Sequence, residues 1–340
     1  MKMKKIIFLL LTAACFIYTA CNNDNEKVEN TFKNPVMGKP AADPTIVKAD
    51  DGAYYIYTTG DLVPIYKSTN LIDWQYIGNC FTEETKPVIE NTSGIWAPDI
   101  RRVGSKYVLY YSMPGTTPGQ IDGVNISNWE CAIGCAVADA PEGPFVDKGK
   151  MFNGYDINIQ NCIDPCYVEE NGKKYLFFGS WEGIYGVELS DDGFRLKEGI
   201  TPVQISGRDN EGAMIHKRGN YYYLFASWGW CCGGDESTYK TIYGRSESLF
   251  GPYLTKDGYQ MTAGVYETLI ESNMFFAGPG HNSQIVTDNA GNDWMAYHSY
   301  IRAQAGKDRL LMISRIQWTE DGWPYVEGNS PSLEALTPVF

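Results

Sequence analysis

Aromatic and β-branched residues in this chain come in short runs, and the runs recur in pairs separated by turn residues. Asp209 to Ser227 shows the unit. Ala213 to Lys217 has the composition of a short strand, Arg218-Gly219-Asn220 supplies a turn, and Tyr221 to Ala226 forms a second, aromatic-rich strand. A carboxylate, Glu211, stands just ahead of the pair. Four other stretches have the same form. Asp43-Pro44-Thr45-Ile46-Val47 leads through Asp51-Gly52 into Tyr54-Tyr55-Ile56-Tyr57. Ala97-Pro98-Asp99-Ile100-Arg101 leads through Gly104 into Tyr107 to Tyr111. Asp164-Pro165-Cys166-Tyr167-Val168 leads through Asn171-Gly172 into Tyr175 to Phe178. His281-Asn282-Ser283-Gln284-Ile285 leads through Gly291 into Trp294 to Tyr297.

The heads of these units lie about 60 residues apart on average, a spacing suited to one four-stranded blade per repeat. Further strand signals fill the blades: Ile65 to Ser68 ahead of Trp74, Gly134 to Ala138 ahead of Gly143-Pro144-Phe145, and Ile242 to Ser246 ahead of Gly251-Pro252-Tyr253. The pattern predicts an all-β chain folded as a five-bladed β-propeller over residues 35–340. A β-sandwich or a pair of β domains is the competing arrangement, but neither requires a polar head at a fixed phase of each repeat. In a propeller the first strand of each blade lines the central channel, and all five enter from one end. The heads then form a ring of Asp43, Ala97, Asp164, Glu211 and His281. Three carboxylates and a histidine facing one narrow axis are costly for stability alone, because like charges repel where solvation is poor.

The amino terminus follows a different pattern. Lys2, Lys4 and Lys5 precede a short apolar stretch, Ile6 to Ala14, too short for a comfortable membrane span. Tyr18-Thr19-Ala20-Cys21 resembles a bacterial lipobox, so residues 1–20 read as a lipoprotein signal peptide, with Cys21 as the lipidation site. An ordinary secretory signal is the alternative. Residues 21–34 read as a flexible tether. The expected location is that of an exported lipoprotein on the outer membrane, the cell surface or the periplasmic face, touching the membrane only through its lipid. The formal net charge is −13, and loss of residues 1–20, with three lysines and no acid, makes the rest more acidic still. Such a surface argues against nucleic acid as a partner. Cys131/Cys135 and Cys162/Cys166 are spaced like metal-ligand pairs, but a zinc site calls for shorter CxxC-type spacing with turn residues between the ligands, which favours free buried thiols. Adjacent Cys231 and Cys232 are compatible with a vicinal disulfide or two free thiols.

Paired carboxylates about 6.5–9.5 Å apart suit glycosidic hydrolysis with inversion. Glu211, with the longer side chain, is the candidate acid. Asp43, across the ring, is the candidate base. Asp164, one blade from Glu211, is placed to raise the acid's pKa by repulsion. Spacing alone leaves these assignments open.

At these residues the chain resembles glycoside hydrolase family 43. Ala42-Asp43-Pro44, Trp96-Ala97-Pro98-Asp99, Ile163-Asp164-Pro165, Glu211-Gly212 and Gly278-Pro279-Gly280-His281-Asn282 look like its successive motifs. Gly179 to Ile184, Cys231-Cys232-Gly233 with Ser237-Thr238-Tyr239, and Asp321-Gly322-Trp323-Pro324 look like segments of its endo-α-1,5-L-arabinanases. The resemblance implies an inverting enzyme acting on arabinan, with Asp43 as base, Asp164 as pKa modulator and orienting group, and Glu211 as acid. It also implies a calcium ion, Ca2+, in the channel near His281, held largely through water because calcium prefers oxygen ligands. By the same resemblance Asn161 and Ser180 are candidates for contacts to sugar hydroxyls.

Trp96 lies beside a ring position and is the first choice for a stacking platform under a pentose. Trp181, Trp228 and Trp230 end or follow second strands and are weighed between cleft and blade packing. Asp99 reads as a structural hydrogen-bond acceptor. Cys162, Cys166, Trp181-Glu182 and Ala213-Met214 depart from the arabinanase pattern and bear on the linkage cleaved rather than on the chemistry. The expected protein is a monomer acting on plant cell-wall pentose polysaccharide. The alternatives are an exo-acting α-L-arabinofuranosidase or β-xylosidase of the same family, and a non-catalytic glycan-binding lipoprotein.

Overall fold

The computed structural model describes residues 30–304 and 307–340. The signal segment and Cys21 lie outside the described residues. Five antiparallel sheets form the five blades of a β-propeller. The first blade comprises Thr45–Lys48, Tyr54–Tyr57, Pro64–Ser68 and Gln75–Asn79. The second comprises Trp96–Val103, Lys106–Met113, Ala132–Ala138 and Val146–Asn153. The third comprises Cys166–Glu170, Lys173–Phe178, Ile184–Glu188 and Val203–Ser206. The fourth comprises Asn210–Arg218, Tyr221–Trp228, Lys240–Ser246 and Glu267–Ile270.

Both ends of the chain contribute to the fifth blade. Asp293–Ile301 and Leu310–Trp318 form its middle, and Met37–Pro40 adds an outer strand, with Met37 opposite Leu311. Thr31–Lys33 pairs with Glu334–Leu336. The Asn34 side chain is buried, donating to Ile313 O at 2.9 Å and accepting from Ile313 N at 3.0 Å. The folded domain therefore begins at Thr31, which shortens the tether expected over residues 21–34. The expected single inner strand of the fifth blade is also corrected. Phe276–Gly280 and Ile285–Thr287 pair separately with Asp293–Ile301, on either side of His281. His281 has φ 49, a left-handed conformation that a continuous pleat does not accommodate.

Second strands are continuous hydrophobic runs because both of their faces are buried. Successive side chains point to opposite faces, so each face meets a different neighbouring blade. Tyr55 and Tyr57 pack with Ile100, Leu109 and Tyr111 between the first and second blades. Tyr54 and Ile56 pack with Trp294, Ala296 and Leu311 between the first and fifth. Val108 and Tyr110 join Leu176 and Phe178 between the second and third. Phe177 joins Leu224 and Ala226 between the third and fourth, and Phe225 joins Met295 and Tyr297 between the fourth and fifth. Each fully buried side chain of this size contributes about 1.5–3 kcal/mol.

Asp288 ties the carboxyl-terminal segment to the fifth blade. Its carboxylate accepts from Ala290 N, Asn292 N, Asn292 Nδ2, Trp294 Nε1 and Val339 N, all within 2.8–3.1 Å. Burial alone would push its pKa up, but the donated hydrogen bonds outweigh burial and hold it at about 2. A depressed carboxyl stabilises the fold above its unfolded pKa, and that stability disappears as pH falls from about 4 through 2. Asp288→Asn should lower the unfolding free energy by roughly 2 kcal/mol at pH 7. It should also flatten the loss of stability below pH 4 in urea melts; a wild-type slope there would show that the charge is not what matters.

Candidate active site

The five ring residues are aimed by a local break in each inner strand. Asp43 (φ 53), Ala97 (φ 37), Asp164 (φ 58) and His281 (φ 49) all take left-handed backbone, and in the fourth blade Gly212 (φ 62) does so beside Glu211. Such conformations are disfavoured for residues with a Cβ and persist only where surroundings hold them. Here the holding group comes from the preceding blade. The Ala97 N–H donates to Thr59 Oγ1, the Asp164 N–H to Ser112 Oγ and the His281 N–H to Ser227 Oγ, each at 2.8 Å. The Asp43 N–H donates to His298 Nδ1 at 3.1 Å. In the fourth blade the Gly212 N–H donates to the Asp164 carboxylate at 3.1 Å.

These clamps bring Asp43, Asp164, Glu211 and His281 to the wall of one cavity of about 250 Å³. Asp43 is surrounded by cationic and donor groups. Its Oδ1 lies 3.0 Å from Arg309 Nη1, 3.3 Å from His298 Nδ1 and 3.4 Å from His281 Nδ1, and its Oδ2 accepts from Thr59 Oγ1 at 2.6 Å. Burial alone would push its carboxyl up; the Arg309 guanidinium, followed by His281, outweighs that and holds it well below the usual range. Asp164 has the opposite balance. Burial, followed by the negative charges of Glu211 and Asp43, pushes it well above that range. Glu211 accepts from the Ser180 hydroxyl on one carboxylate oxygen and from Tyr239 Oη at 2.7 Å on the other. The Tyr239 ring lies parallel to that of His298, 7° apart in plane with centroids at 5.7 Å. One ring stack thus connects the groups that hold Glu211 and Asp43.

Trp96 and Trp181 also line this cavity and are 46% and 53% exposed, so both present a face that a sugar can reach. Trp228 packs beside Tyr266 instead, and neither it nor Trp230 lines the cavity. Asn161 is buried and does not line it; its backbone N–H donates to Asn128 O at 2.8 Å. Ser180 lines the cavity with its hydroxyl committed to Glu211. Asp99 is buried deeper in the channel, accepting from Tyr167 N and Arg101 Nε at 2.7 and 2.9 Å. Cys80, Cys131, Cys135, Cys162 and Cys166 are buried free thiols, and Cys231 and Cys232 are unpaired and less buried.

Arg309, His298, Tyr239 and the hydroxyl clamps Thr59, Ser112 and Ser227 lie outside the site residues the sequence singled out. The clamps had a readable signal: like Ser180, which holds Glu211 instead, Thr59, Ser112 and Ser227 are hydroxyl residues closing second-strand runs. Arg309 had none, because it reaches Asp43 across 266 residues of chain. No group of three His, Cys, Asp or Glu side chains among the described residues forms a metal cage. A calcium ion beside His281 would draw its shell from water and backbone oxygens as well as from side chains.

His298 is fully buried, and burial pushes its pKa down to about 4, so it stays neutral and Nδ1 remains free to accept. His298→Leu leaves the buried Asp43 amide without a partner and should cost about 1–3 kcal/mol of stability. His298→Asn, which offers an acceptor oxygen near the Nδ1 position, should recover part of that loss in denaturant melts. Equal losses for the two variants would exclude the clamp.

Known proteins resemble this chain in sequence and fold. The chain is 33% identical over 311 residues to the extracellular exo-α-(1→5)-L-arabinofuranosidase ArbA of Cellvibrio japonicus, covering 84% of this chain and 86% of that protein. It is 33% identical over 298 residues to the extracellular endo-α-(1→5)-L-arabinanase 1 of Bacillus subtilis, covering 83% and 86%. The solved α-L-arabinanase of Cellvibrio cellulosa in complex with arabinohexaose superposes with a TM-score of 0.72 at 29% identity, over 85% of this chain and 95% of that one. Residues 32–324 match the family described as glycosyl hydrolases family 43, and the chain belongs to that family.

Proposed function

We propose that this enzyme hydrolyses α-1,5-linked L-arabinan by an inverting mechanism, cutting within the polymer. The observation that carries the mechanism is the opposite environment of the carboxylates around one cavity. Asp43, held ionised chiefly by the Arg309 guanidinium, suits the base that takes a proton from water. That water attacks the anomeric carbon as the glycosidic C–O bond breaks. Glu211 protonates the departing oxygen. Asp164, pushed up by burial and by the charges of Glu211 and Asp43, lies beside Glu211 as its modulating neighbour in this reading. Tyr239 and Ser180 keep the Glu211 carboxyl in place, while Asp164 fixes the backbone beside it through Gly212.

Trp96 and Trp181 form the stacking surfaces in this reading, and their exposure favours an open cleft that admits an internal segment of the polymer. Exo action is the second reading, supported by the exo-acting relative from Cellvibrio japonicus. A calcium ion beside His281 remains part of the proposal only as a water-clad ion, with no catalytic step assigned to it. Export is supported by the relatives named as extracellular; a lipid on Cys21 and action as a monomer complete the proposal.

Incubation with linear arabinan should release short oligosaccharides whose new reducing ends first appear in the β configuration by NMR. Arabinose alone would establish exo action, α ends would overturn inversion, and no release by the wild type would favour a glycan-binding role. Glu211→Gln should abolish release while the circular dichroism spectrum stays unchanged. Arg309→Met removes the cation that lowers Asp43, so the acid limb of the kcat/KM profile should move to higher pH by on the order of one unit. An unmoved limb would show that it does not report Asp43.

A further inference from the structure

Hydrolysis leaves two side chains of the catalytic cavity without a role. Cys231 and Cys232 both line it, alongside Glu211 and Arg309. They lie in the connection between the second and third strands of the fourth blade, and that connection is pinned. Ser237 Oγ donates to Trp230 O at 2.8 Å, the Trp230 N–H donates to Thr238 Oγ1 at 3.0 Å, and Arg302 Nη1 donates to Asp235 O at 2.7 Å. The thiols are thus held at the cavity. The other described cysteines are buried, whereas Cys231 is partly accessible and Cys232 is exposed.

The two thiols are neighbours in the chain and both line the cavity. Cys231 bonding, against burial and with help from the Arg309 guanidinium, brings the Cys232 thiol down to about 7. Arg309 is under the influence of both Asp43 and the thiol pair. Whatever occupies the sulfurs therefore stands in the sugar's space and next to the cation that holds the base.

We propose that Cys231 and Cys232 form a two-thiol site for a thiophilic metalloid ligand that takes both sulfurs at once, and that loading it closes the catalytic cavity. The simplest ligand of this class is a trivalent organoarsenic oxide. Two As–S bonds form, the As=O oxygen leaves as water with the two thiol protons, and arsenic stays trivalent. Adjacent residues suit this chemistry because one arsenic closes a ring within a single dipeptide, so the second bond forms intramolecularly. Monothiols compete poorly with such a ring, and dithiols compete well.

The inference rests on the proposed catalytic cavity for its effect on rate, but not for binding. The test uses the expressed protein, reduced with dithiothreitol, desalted without oxygen and treated with one equivalent of phenylarsine oxide. Intact mass should show one adduct that survives excess 2-mercaptoethanol and is removed by 2,3-dimercaptopropanol. The rate on arabinan should fall about tenfold or more, since the filled cavity leaves little room for a sugar. Cys231→Ser and Cys232→Ser, each compared with its own untreated rate, should lose both the stable adduct and the inhibition. No stable adduct on the wild type, or a stable adduct on both serine variants, overturns the site. A stable adduct without loss of rate overturns closure of the cavity.

Discussion

The structure depends on burial of both faces of each blade's second strand. A strand alternates its side chains with a period of two, so a fully apolar run must be covered on both sides. Tyr54 and Ile56 face the fifth blade, while Tyr55 and Tyr57 face the second. Repeated in every blade, this requirement closes the sheets into a ring, and the last interface can form only when Met37–Pro40 returns to Leu310–Trp318. The ring then sets where the five inner strands begin, and hence where the polar residues meet.

That meeting point is built against local backbone preference. Four of the five ring residues carry a Cβ in the left-handed region, each held by a side chain from the blade before it. Blade packing and the site are therefore mechanically connected: moving one blade relative to the next would loosen the amide that aims a ring side chain. The fourth blade departs from the rule. There Ser180 gives its hydroxyl to Glu211, and the backbone clamp passes to the Asp164 carboxylate. The exception falls where two carboxylates must be held close despite their repulsion.

The site also separates similar groups by their surroundings. Asp43 and Asp164 are both aspartates on equivalent ring positions, and both are buried. Arg309 and two histidines surround one, while Glu211 and Asp43 press their charges on the other. Opposite pKa shifts follow from which neighbours the fold brings near, so two identical functional groups hold their protons differently.

The repeat of polar head, short strand, turn and aromatic strand was legible along the chain, because period-two burial and turn chemistry are local properties. It determined the number of blades, the ring positions and three carboxylates directed to one place. The hydroxyl clamps were legible in principle as small polar residues closing second-strand runs. Other features depended on tertiary structure. The pairing of Thr31–Lys33 with Glu334–Leu336, the approach of Arg309 to Asp43, the Tyr239–His298 stack and the withdrawal of Asn161 from the cavity all involve contacts or burial across distant parts of the chain. Periodicity records which face of a strand is covered. It does not record which distant charge lies beside a carboxylate, and that contact decides whether the group gives up its proton.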